Sequence, residues 1–133
     1  MQLVGLDTNI FIYYFQKHPQ FGPLVKPLFE SLVKKKLKGV TSVIAIAELL
    51  SLKALESDIN RLKMLYFEIP NLTTISVSES IAFESARIRR TYGFRLPDSI
   101  QLATALQLKV DEFITNDQQY KNYKELKVKL LKI

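Results

Sequence analysis

The chain has no cysteine, which excludes disulfides, zinc–thiolate centres and a cysteine nucleophile. Its one histidine, His18, lies near Pro19, Gly22 and Pro23 and reads as a surface loop residue. No Ser–His–Asp arrangement suggests itself around it, and there is no glycine-rich phosphate loop. No apolar run approaches the roughly 20 residues needed to cross a bilayer, so no membrane partner is expected. No leader precedes the first apolar run, and together with the missing cysteine this fits a cytoplasmic location. Repeats, low-complexity segments and linkers are absent, so the 133 residues are expected to form one domain, 1–133.

Apolar residues make up 47% of the chain, enough for a substantial core and too many for disorder. The formal charge is +6, from 19 basic and 13 acidic residues. A basic protein suits a polyanionic partner, although solubility alone also favours net charge. The run Lys34-Lys35-Lys36 with Lys38 reads as a solvated helix end, with Gly39 as its expected cap.

Strand-like and helical patterns alternate. Residues 2–6 read as a short buried strand, and Thr8 to about Tyr14 as a turn and helix. Leu24–Lys36 is amphipathic, with Leu24, Leu28, Leu32 and Val33 on the apolar face. Residues 39–41 offer a second short strand, and Thr41 or Ser42 would cap a helix running to about Glu56. Another helix is expected from Asp58 to Glu68, with Ile59, Leu62, Leu65 and Tyr66 or Phe67 inward. Leu72–Val77 is a β-branched strand. Ser78 caps a helix that Gly93 ends, with Ile81, Ser85 and Ile88 on one face, and Asp98–Lys109 is the last long helix. Glu112–Thr115 reads as a strand, Gln118–Tyr123 as a short helical piece and Lys127–Leu131 as a final strand. This order predicts an α/β fold with a mainly parallel sheet covered on both faces.

Four acids stand where apolar stretches stop. Asp7 closes Leu3-Val4-Gly5-Leu6, Glu48 lies within Val43–Leu50, Asp98 follows Leu96-Pro97, and Asp117 follows Phe113-Ile114-Thr115-Asn116. Each has an ordinary explanation: Asp7 and Asp98 as helix caps, Asp117 as a turn residue. Glu48 resists one, because its expected helix is apolar nearly all round and no basic residue lies within a turn of it. Carboxylates gathered in apolar surroundings repel one another unless a cation sits among them. Oxygen ligands suit Mg²⁺ or Mn²⁺. If the fold gathers these four, the expected activity is metal-dependent chemistry on phosphate esters.

The opening Leu6-Asp7-Thr8-Asn9-Ile10-Phe11-Ile12 resembles that of PIN-domain proteins, especially VapC-type toxins. Ala47-Glu48-Leu49, Leu96-Pro97-Asp98-Ser99-Ile100-Gln101-Leu102-Ala103-Thr104-Ala105 and Phe113-Ile114-Thr115-Asn116-Asp117 are similar to the family's later acidic motifs, in order. The resemblance spans essentially the whole chain. It implies a three-layer α/β/α sandwich around a mainly parallel sheet of four or five strands. It implies an endoribonuclease dependent on Mg²⁺ or Mn²⁺, the toxin of a type II toxin–antitoxin pair, with RNA as substrate, a cognate antitoxin as partner and a homodimer as the assembly. Carried over residue by residue, Asp7, Glu48, Asp98 and Asp117 would be the catalytic and metal-holding acids, supported by Asn9 and Thr115. Arg87, Arg89, Arg90 and Arg95, just ahead of Asp98, could steer the RNA backbone. Gln101 departs from the family's small or apolar residue without touching the acids.

Rival readings are a PIN nuclease in RNA processing or DNA cleavage without an antitoxin, and a receiver-like Mg²⁺-binding signalling domain. The latter needs an acidic pair after an early strand and a lysine after a late one. Neither is present near Asp7 or in the later strands.

Overall fold

A computed structural model describes residues 1–132. The chain runs β1 (Gln2–Leu6), α1 (Thr8–Phe15), α2 (Gly22–Val33), β2 (Leu37–Ser42), α3 (Ile44–Leu49), α4 (Glu56–Phe67), β3 (Leu72–Ile75), α5 (Glu79–Tyr92), α6 (Leu96–Gln107), β4 (Glu112–Thr115), a 3₁₀ turn (Gln118–Asn122) and β5 (Val128–Leu130). The five strands form one sheet in the order β3-β2-β1-β4-β5. Every pairing is parallel.

Helices cover both faces, which gives the expected three-layer α/β/α sandwich. Successive strand side chains point to opposite faces. Val4, Leu6 and Ile114 therefore pack under α1 to α4, with Ile10, Phe11, Val25, Phe29, Leu32, Leu49 and Tyr66. Val40 and Phe113 pack under α5 and α6, with Ile81, Ile88, Leu102, Ala103 and Ala105. A methyl group on Gly5 would come within 3.0 Å of the Phe113 ring and 3.3 Å of the Ala105 side chain. Glycine there lets α6 lie close against β1.

Local chemistry accounts for most boundaries. The Ser78 hydroxyl accepts from the Ile81 amide, and Gly93 closes α5 at φ 76°, a left-handed conformation that costs glycine nothing. Several expectations change. Gly39 is not a helix cap but lies inside β2, and α2 ends at Val33. The buried face of α2 is Val25, Phe29 and Leu32, while Val33 is exposed. The helix expected from Ser42 to Glu56 starts late, at Ile44, and stops early, at Leu49. Ser42 stays in the sheet opposite Ile75, and the Ser51 hydroxyl bonds back to the Ala47 carbonyl as α3 ends. Asp98 is the third residue of α6, whose cap position is Arg95.

The strand order decides where a site can form. The chain winds from β1 outward through β2 and β3, then returns to the far side of β1 to lay down β4 and β5. The order reverses between β1 and β4, and in open parallel sheets ligands bind outside the carboxyl ends of the strands at such a point.

Candidate active site

Asp7 leaves the carboxyl end of β1 at that reversal. Its amide donates to the Ile114 carbonyl of β4 at 3.0 Å, extending the sheet by one bond. It then caps α1: Oδ1 accepts from the Thr8 amide at 2.8 Å. Oδ2 accepts from Thr115 Oγ1 at 2.7 Å. The carboxyl is buried, with 5% of the residue exposed. Burial pushes its pKa up to about 7; the hydrogen bonds from Thr115 and Thr8 oppose the rise, and the charges of Asp98 and Glu48 add to it.

The other three acids join through short polar links. Thr8 Oγ1 donates to Glu48 Oε1 at 2.7 Å. Glu48 is only half-buried on a short helix, so the expected deep burial is corrected, and its missing partner is Thr8. Thr115 Oγ1 accepts from the Asp117 amide at 3.0 Å, which ties Asp117 to the group that holds Asp7. Asp117 caps the 3₁₀ turn through the Gln119 amide. The Gln119 side chain then bridges two acids: Nε2 donates to Asp117 Oδ2 at 2.6 Å and to Asp98 Oδ2 at 3.3 Å. Asp98 is buried in the first turn of α6, where the helix dipole favours an anion. Arg95 Nε donates to its Oδ2 at 3.2 Å.

The supporting residues fall into the same network. Asn9 Nδ2 lies 3.4 Å from Thr115 Oγ1, and Asn9 Oδ1 accepts from the Asn116 amide at 3.4 Å. The four arginines separate. Arg87 is tied up by Glu84 and Glu125, and Arg89 braces the Phe94 carbonyl. Arg90 is exposed. Arg95 alone reaches one of the four acids.

Three participants were not among the expected site residues. Gln101 is buried in α6; its Nε2 donates to Thr8 Oγ1 and Thr41 Oγ1, both at 3.3 Å, and its Oε1 accepts from the Ser42 amide at 3.3 Å. It links α6 to the end of β2 and, through Thr8, to Glu48. A buried glutamine one turn after Asp98 is its sequence signal. Gln119 has none, because its partner Asp98 is remote in sequence. Tyr120 is fully buried and its hydroxyl has no hydrogen-bond partner among the described residues. Burial, then the charges of Asp7, Asp98 and Asp117, drive its pKa strongly upward, so the phenol stays protonated.

The donor set is all oxygen. Among the described residues no three acidic or histidine side chains are arranged to grip one ion directly. The set suits instead a hard cation that keeps part of its water shell and takes one or two carboxylates, as Mg²⁺ does. Such a charge would relieve the disfavoured ionisation of Asp7.

No curated protein matches the chain in sequence. Among solved structures, the fold recurs in a chain of VapBC2 from Rickettsia felis bound to a DNA fragment from their promoter. That match has a TM-score of 0.78 at 20% identity and covers 98% of this chain and 100% of that one. It recurs in a toxin–antitoxin complex from Klebsiella pneumoniae (TM-score 0.69, 23% identity, 96% and 95% covered). DNA-bound VapBC from Salmonella typhimurium is a third (0.73, 17%, 97% and 98%). The PIN domain family matches residues 4–126, a span that runs from β1 past all four acids. By that match, and by the sheet order that brings the acids together, the chain belongs to the PIN-domain family.

Proposed function

We propose that this chain is an endoribonuclease dependent on Mg²⁺ or Mn²⁺, acting as a single nuclease domain and as the toxin of a type II toxin–antitoxin pair. The observation that carries this reading is the hydrogen-bonded linkage of Asp7, Glu48, Asp98 and Asp117 at the reversal of strand order, with Asp7 raised to a pKa of about 7. Asp7, Glu48 and Asp98 would hold one ion directly or through water, and Asp117 would complete the site or help hold a second. When bound, the ion supplies Lewis acidity at the phosphate and makes a water nucleophilic near neutral pH.

The chain's own residues do the positioning. Thr8 and Thr115 each donate to an acid and so fix carboxylate orientation before substrate arrives. Gln119 keeps Asp98 and Asp117 at a shared spacing. Arg90 and Arg95 are exposed cations near the start of α6 that suit a phosphate backbone. The net charge of +6 favours approach of a polyanion.

The VapBC complexes with this fold support an antitoxin partner. Its apolar segment would occupy the groove of about 610 Å³ beside α1 and α2, bordered by Tyr14, Phe15, His18, Pro23 and Leu65. Homodimerisation and a cytoplasmic location complete the proposal, and among the described residues no helix is long and apolar enough to cross a membrane. The test is RNA cleavage by purified protein with Mg²⁺ or Mn²⁺, with excess chelator, and with added antitoxin. Cleavage that survives chelation, and belongs to this chain, would overturn the metal dependence. Cleavage indifferent to a bound antitoxin would leave the rival reading, a PIN nuclease working without one.

A further inference from the structure

We propose that Arg95 is a built-in counter-ion for Asp98: it holds that carboxylate while no divalent cation is bound and passes to the substrate's phosphate when one arrives. The inference rests on the metal-dependent reading above and adds a regulated exchange to it.

The contact is unequal. The Asp98 side chain is 8% exposed and the Arg95 side chain 72%. A buried acid is thus met by a cation that remains mostly in water. The grip is a single bond from Nε, and that same Oδ2 oxygen also accepts from Gln119. Arginine's strength lies in two parallel bonds from its planar fork, and here the terminal nitrogens make no bond among the described residues. An ion pair made through one bond, with its cation mostly in water, exchanges readily.

Of the four arginines ahead of α6, Arg90 and Arg95 are exposed, and only Arg95 reaches an acid of the cluster. Arg87 is committed to two glutamates and Arg89 to a backbone carbonyl. Arg95 immediately precedes α6, so its side chain is tethered at the rim of the acidic cluster whichever way it turns. A divalent cation approaching Asp98 meets the guanidinium's like charge and competes with it for the carboxylate. Once displaced, the guanidinium keeps its fork open beside the place where a phosphate would be drawn in. The carboxylate exchanges one positive charge for two, and the arginine exchanges a carboxylate for a phosphate.

Calorimetric titration of Mn²⁺ into the wild type, Arg95→Met and Arg95→Lys tests this without relying on activity. Methionine keeps the length of the side chain, and the backbone carbonyl that accepts from the Ser99 hydroxyl is unchanged. Arg95→Met should bind Mn²⁺ roughly three- to tenfold more tightly, the effect of removing one like charge a few ångströms away in water. Its KM for a single-stranded RNA oligonucleotide should rise about tenfold while kcat at saturating Mn²⁺ changes much less. Arg95→Lys retains the charge and should match the wild type in Mn²⁺ affinity while recovering part of the KM. Unchanged or weaker Mn²⁺ binding by Arg95→Met would overturn the exchange and leave Arg95 as a residue that merely orients Asp98. Failure of all three proteins, the wild type included, to bind Mn²⁺ would instead overturn the metal reading beneath it.

Discussion

Replacing Asp7 with asparagine should stabilise the metal-free protein while destroying its activity. Asp7 ionises near pH 7 in the fold, against an ordinary value of 3.8. Above that pH, holding it charged costs the folded state about 4 kcal/mol relative to the unfolded chain. Asparagine removes the charge and keeps an oxygen to accept from the Thr8 amide. The other side is less well matched. The Thr115 hydroxyl now donates to Asp7 and already accepts from Asp117 and Asn9. An asparagine NH₂ would face it with no free acceptor. Losing that charge-assisted bond costs roughly 2–3 kcal/mol. The net gain at pH 8, without divalent ions, is therefore about 1–2 kcal/mol, or some 3–8 °C in Tm for a domain of this size. The pH dependence follows from linkage. Between about pH 7 and pH 4 the folded wild type binds a proton that the unfolded chain does not. Its stability therefore rises as pH falls through that window, and the penalty is gone below it. The advantage of Asp7→Asn should shrink below pH 7 and reverse by about pH 5. Thermal melts of both proteins from pH 4.5 to 8.5, in chelator, decide the matter. A mutant no more stable than wild type at pH 8, or a difference that ignores pH, would refute the burial argument.

Other outcomes follow from the same network. Asp98→Asn should stay within about 1 kcal/mol of wild-type stability but lose roughly 100-fold or more in cleavage; Mg²⁺ should raise its Tm less than that of the wild type. Gln101→Leu should cost about 2–3 kcal/mol in denaturant unfolding, because Thr8, Thr41 and the Ser42 amide lose a buried partner together. It should also lower kcat, since Thr8 orients Glu48. Leu65→Arg, at the edge of the groove beside α1 and α2, should weaken inhibition by an antitoxin at least about tenfold while leaving RNA cleavage by the free protein unchanged.

The legibility of the chain varied with the range of the interactions involved. β1 and β4 are readable because each has an apolar centre, Leu3-Val4-Gly5-Leu6 and Phe113-Ile114, followed by polar residues, Asp7 in the first and Thr115-Asn116 in the second. α5 is readable because Ser78 and Gly93 mark its ends by local hydrogen bonding and backbone conformation. The segment from Ser42 to Glu56 was not, because its helical pattern is overridden by strand pairing with β3 at one end and by the Ser51 back-bond at the other. Gly39 looks like a cap beside four lysines, yet it sits in β2, where a side chain would crowd Leu72, Leu32 and Leu6. The candidate acids were visible as charges at the edges of apolar runs. Their links were not. Gln119 reaches Asp98 only through the turn after β4, and Thr8 meets Glu48 only because β1 and β2 lie side by side. Glu48 stood out for a partly mistaken reason: its helix is shorter and more open than its composition suggests.

The most direct test of the central claim is cleavage of an RNA oligonucleotide by purified protein under strict metal control. The account predicts no cleavage after exhaustive chelation, recovery on adding Mg²⁺ or Mn²⁺, and loss of that recovery in folded Asp7→Asn and Asp98→Asn variants. Metal-independent cleavage, or full metal-dependent activity in either variant, would show that these acids are not the reaction centre.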